Sequence, residues 1–116
     1  MYTNELAHAL SRIFAELTAG TPPRGGFVLN AGDRGLLASI DALSAREASL
    51  SSADGACLAA HAAHLAYGLS LMNGWAAKGD NPFAGARWDE AWRIGEVNEA
   101  RWQSIRDELR KEVQQW

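Results

Sequence analysis

The 116 residues, 47% of them hydrophobic, are enough for one compact domain with its own core and too few for two. The acidic and basic residues leave a formal net charge of -3, with neither sign gathered into a block, which argues against a basic nucleic-acid stripe and against a charged disordered tail. Cys57 is the single cysteine and forms neither an internal disulfide nor a Cys-x-x-Cys motif. The start of the chain lacks the pattern of a signal peptide, and no uncharged apolar stretch free of histidine reaches the ~18 residues of a membrane span. The expectation is a soluble, cytoplasmic, single-domain protein over residues 1–116, without a nucleic-acid or membrane partner.

Leu6, Leu10, Ile13, Phe14 and Leu17 share one face of a helix that begins near Thr3 or Asn4. His8 falls on the opposite face, in solvent. The run from Thr18 to Gly26, with Pro22, Pro23, Gly25 and Gly26, stops that helix in a loop. A phosphate-cradling role for this loop lacks the Lys-Ser/Thr that would follow it. Phe27 to Asn30 reads as a short extended entry. Leu36, Leu37, Ile40 and Leu43 then predict a second, shorter helix that starts at Asn30 or Ala31 and ends near Ser44. Ser44-Ala45-Arg46-Glu47 has the spacing of a capping box and opens one further turn before the Ser-rich connection Ser49 to Ser52.

The third helix is expected from Asp54 or Gly55 to Lys78, closed by Gly79-Asp80-Asn81-Pro82. At about 100° per residue, Leu58, His61, Ala62, Leu65, Gly68, Leu69, Met72 and Trp75 crowd one half of it, with Cys57, His64 and Leu71 at the margin. That half is expected to face the core. On this reading both histidines look inward, and Leu65→Ala is a core truncation costing about 2 to 5 kcal/mol. An irregular stretch from Phe83 to Trp88 leads to a helical turn or two over Asp89 to Arg93, broken by Gly95. A last helix starts on Asn98 and carries Trp102, Ile105, Leu109, Val113 and Trp116 as a buried stripe running to the final residue. No segment alternates as a strand does, so the fold class is all-α. The five tryptophans read as core and groove anchors rather than as a base-stacking platform.

The stretch Ala59-Ala60-His61-Ala62-Ala63-His64-Leu65 is where a site is to be sought, because imidazoles are costly to bury without a partner. An i,i+3 pair can bring two rings toward a common point, yet a catalytic metal needs three protein ligands, and no third inward His or carboxylate is evident. The other reading gives each buried ring a hydrogen bond to a backbone carbonyl or to a Tyr or Trp. Cys57, one turn before His61, reads as a small buried apolar side chain.

From Ala56 to Ala76, and again at Gly79-Asp80-Asn81-Pro82-Phe83, Trp88-Asp89-Glu90-Ala91-Trp92 and Val97-Asn98-Glu99-Ala100-Arg101-Trp102, the chain resembles the DinB-like damage-inducible superfamily. These are small helical bundles also called YfiT-like metal-dependent hydrolases. The resemblance covers most of residues 3 to 116. It implies a four-helix bundle in up-down-down-up order, often dimeric, that holds zinc or nickel by three histidines. Such a metal would lower the pKa of a bound water or thiol to about 7 and make it a nucleophile. The family's first ligand sits in a His-Leu or His-Val step on the second long helix, which His64-Leu65 matches. The other two form His-x-x-x-His on a last helix, and no histidine follows His64 here. The expectation is therefore a truncated sequence, or a homodimer that completes the bundle.

Two functions follow from the resemblance. One is a metal-dependent thiol S-transferase or hydrolase acting on a small molecule or thiol, with His64 as a metal ligand and His61 as a less direct candidate, orienting or exchanging protons beside it. The other is a stress-associated helical interaction or dimerisation module with no metal and no turnover.

Overall fold

The computed structural model describes residues 2–51 and 55–116. The described residues are mostly helical and contain no strand beyond an isolated bridge between Ser51 and Cys57. None of their helices is long and apolar enough to cross a membrane. They gather into two compact units, one ending at Ala42 and the other starting at Leu43.

In the first unit, α1 (Tyr2–Ala19) and α2 (Gly35–Asp41) pack together across a long loop. The second helix begins later than Asn30 or Ala31. Asp33 delays it, because its carboxylate accepts the Gly35 amide at 2.8 Å while its carbonyl accepts the Thr21 amide at 2.9 Å, which holds the loop short of helix. Gly35 has a φ of 84°, and a Cβ there would overlap the Gly20 nitrogen and the Thr18 carbonyl, so no other residue fits this crossing. The apolar face of α1 is only partly covered: Ile13 and Phe14 are half-buried, whereas Leu6, Leu10 and Leu17 are exposed.

Phe27 to Leu29 do not extend as a strand does. They bend so that three consecutive amides, of Phe27, Val28 and Leu29, donate to the Glu16 carboxylate at 2.8, 2.9 and 2.6 Å. Glu16 is 4% exposed. The Leu29 amide, and then those of Val28 and Phe27, hold its pKa below the ordinary 4.5 against the opposing effect of burial. A carboxylate whose pKa is depressed by folding stabilises the fold above its unfolded value. That contribution is lost as pH falls through the folded value. Acidification below pH 4.5 should therefore release this loop, seen as joint amide shifts of Phe27, Val28 and Leu29 in NMR spectra. Release centred above 4.5 would contradict the assignment.

The second unit opens with the capping box expected at Ser44. Its hydroxyl accepts the Glu47 amide at 3.1 Å, and the Glu47 carboxylate accepts the Ser44 amide at 3.0 Å. This starts the short α3 (Ala45–Ala48). The expected helix start at Asp54 and the end of the Ser-rich connection at Ser52 lie outside the described residues. The long helix α4 runs Leu58–Lys78, with Cys57 rather than Gly55 as its N-terminal boundary and a left-handed Gly79 as its C-cap. Single turns of 3-10 helix follow at Phe83–Gly85 and Ala91–Arg93. Asn98 caps α5 (Glu99–Gln115) by accepting the Arg101 amide at 2.7 Å.

The core of this unit lies where α5 packs on α4 and α3. Trp102, Ile105 and Leu109 are buried, as their spacing predicts, while Val113 is half-buried and Trp116 is exposed. The Trp102 indole donates to the Leu43 carbonyl at 2.8 Å, and Glu99 accepts the Ala45 amide at 3.0 Å, so the first turns of α5 fix α3. Buried Cys57 directs its thiol at the Ile94 carbonyl, 3.4 Å away, in keeping with a small interior side chain.

Candidate functional site

The long helix α4 carries no charged residue until Lys78, so its sequence is apolar nearly all round and its neighbours decide which face is core. The face that meets α5 is the alanine face: Ala59, Ala62 and Ala66 are buried, because small side chains let the two helix backbones approach closely. The expected core half is thereby corrected. Leu58, Leu65, Met72 and Trp75 are each between 40% and 44% exposed, and of that half only Ala62 and, at its margin, Cys57 are buried. Leu65→Ala should accordingly cost less than about 1 kcal/mol in a dilute urea melt, well short of a core truncation. A loss above that would mean Leu65 is buried after all.

A second side of α4 is covered by the segment from Phe83 to Ile94. The rings of His61 and His64 lie against Trp92, at 5.1 Å edge-on and 4.6 Å stacked. His64 also approaches Trp88 at 5.4 Å. Trp88 passes over Gly68, stacks on Phe83 at 5.7 Å and meets Tyr67 edge-on at 5.6 Å. Phe83 in turn meets Trp75 at 5.7 Å. The Tyr67 hydroxyl accepts the Arg87 amide at 2.9 Å and fastens the segment to the helix. The result is a continuous aromatic wall along α4.

Neither histidine occupies the interior expected of it. His61 is exposed, and His64 is half-buried with a buried Nδ1 that has no hydrogen-bond partner among the described residues. Their polar partners were expected to be carbonyls or Tyr and Trp donors. The neighbours found are instead the indoles of Trp88 and Trp92, which pack against the imidazoles but leave the Nδ1 of His64 unpaired. Sequence reasoning missed this clamp, although Trp88 and Trp92 at i,i+4 facing His61 and His64 at i,i+3 were its available signal.

Among the described residues no three His, Cys, Asp or Glu side chains gather as metal ligands. A zinc or nickel site of the kind the resemblance implies needs three. Among the described residues His64 has no second and third ligand beside it.

Within the second unit, the third side of α4 is left uncovered. Leu58, Leu65, Leu69, Met72 and Ala76 lie within about 60° of arc at 100° per residue, a stripe of heptad-like spacing. Of these, only Leu69 is half-buried. No protein-family model, curated protein or solved structure matches the chain.

Proposed function

We propose that this chain is a DinB-like helical bundle protein serving as a non-catalytic interaction module, pairing with a second copy of itself along the open stripe of α4. The observation that carries this reading is the exposure of Leu58, Leu65 and Met72 in one uncharged line. A helix apolar on every side needs cover on every side, and α5 and the aromatic wall supply two. A stripe without charge over its length offers a charged partner nothing, whereas a copy of itself is equally apolar. Within the stripe, Leu65 and Leu69 are placed symmetrically about position 67, as are Leu58 and Ala76. A twofold axis near position 67 would set Leu65 of each copy against Leu69 of the other in antiparallel packing, the self-complementary contact that a symmetric dimer requires.

Gel filtration of wild type beside Leu65→Arg tests this. The wild type should elute as a dimer and the variant as a folded monomer, because a guanidinium at the centre of the stripe cannot be paired there. Equal elution of the two would sink the reading.

The unpartnered Nδ1 of His64 favours a second reading, a metal-dependent thiol S-transferase or hydrolase whose remaining ligands another chain supplies. Stoichiometric zinc retained by wild type after dialysis and lost in His64→Ala would support it. Equal zinc content in both would refute it.

A further inference from the structure

A cleft of about 650 Å³ lies in the first unit, between the last turns of α1 and the loop that follows. Two arginines line it. The Arg12 guanidinium is held 4.9 Å from the centre of the Phe27 ring, a cation-π contact that fixes both groups at the rim. Arg24 sits at the third position of a turn closed by the Gly25 amide, which donates to the Pro22 carbonyl at 2.9 Å; Pro23 before it presets the turn. Among the described residues no ion pair joins Arg12 or Arg24 to a carboxylate.

The one carboxylate in the wall, that of Glu16, is already satisfied by three backbone amides and turned to the loop. A Cβ on Gly26 would overlap it, so the loop closes on Glu16 without leaving room between them. The rest of the lining is alanine, proline and glycine. A cavity of this size with an apolar wall and a few charged groups is the usual form of a small-ligand site. Unpaired guanidinia with forked donors match a phosphate dianion better than a single negative charge.

We propose that this cleft binds a small phosphate monoester with an apolar body, Arg12 and Arg24 taking the phosphate and Phe27 and the alanine-proline wall taking the body. The site is independent of any pairing along α4.

The test is an NMR titration of the full chain, labelled with nitrogen-15, with phenyl phosphate and separately with inorganic phosphate. Phenyl phosphate should shift the amides of Gly20, Gly25 and Gly26 and should bind about tenfold more tightly than inorganic phosphate, since only it fills the apolar wall. Arg24→Gln should weaken phenyl phosphate about tenfold, the loss of one charge-assisted contact. Arg24 is exposed, whereas Arg12→Gln also releases Phe27 and is the less clean probe. No shift at these glycines, unchanged affinity in Arg24→Gln, or equal affinity for the two phosphates would each overturn the proposal.

Discussion

Trp102→Ala should cost the second unit about 3 to 5 kcal/mol, the largest effect of any single truncation in this chain. The indole is 0% exposed, lies where α5 meets α3 and α4, and donates its only polar hydrogen to the Leu43 carbonyl. Removing it leaves a cavity the size of a double ring and an orphaned carbonyl at the start of the unit. A domain is stable by only about 5 to 15 kcal/mol, so the variant should sit close to unfolding at room temperature. Trp102→Phe separates the two losses. It restores most of the volume and leaves the carbonyl unpaired, for a cost of about 1 to 3 kcal/mol. Urea melts followed by circular dichroism check both, and a Trp102→Ala loss below that of Trp102→Phe would show that this ring is not the centre of the core.

Asn73→Leu should be the next most damaging change, at about 1 to 3 kcal/mol. Glu112 lies on α5, is 5% exposed, and has its carboxyl oxygen met by the Asn73 side-chain amide at 2.9 Å. The same amide also donates to the Glu112 carbonyl at 2.9 Å. Leucine would leave the buried Glu112 carboxylate without this donor, while the Glu112 carbonyl keeps the Trp116 amide at 3.2 Å. Replacing both partners with leucine should recover part of the loss, because an apolar pair of similar shape leaves no carboxylate without its donor. A double-mutant cycle over Asn73 and Glu112 measures this, and strictly additive losses would mean that the hydrogen bond carries no coupling.

Local rules were legible in the sequence because they need only neighbours in the chain. The capping box at Ser44, the Asn98 cap and the stop at Gly79 all fall where their residues predict. The buried stripe of α5 was equally plain, since its other face is charged and one orientation wins. The orientation of α4 was not legible. The alanine and leucine faces of this helix are both apolar, and the choice between them was made by the close approach of α5, which favours the smaller side chains. Glu16 gave no signal at all, because its partners are backbone amides and any residue type supplies those. The candidate site was half legible: the pair His61 and His64 marked the right segment, but the i,i+4 spacing of Trp88 and Trp92 lies in a stretch with no long helix, so it did not show which face of α4 the indoles would cover.

Pairing along α4 is tested most directly by sedimentation equilibrium of the wild-type chain across a wide range of concentrations. The stripe predicts a mass of twice 12.5 kDa that falls to 12.5 kDa on dilution, with Leu65→Arg remaining at the lower value throughout. A wild-type mass of 12.5 kDa at every concentration would contradict it.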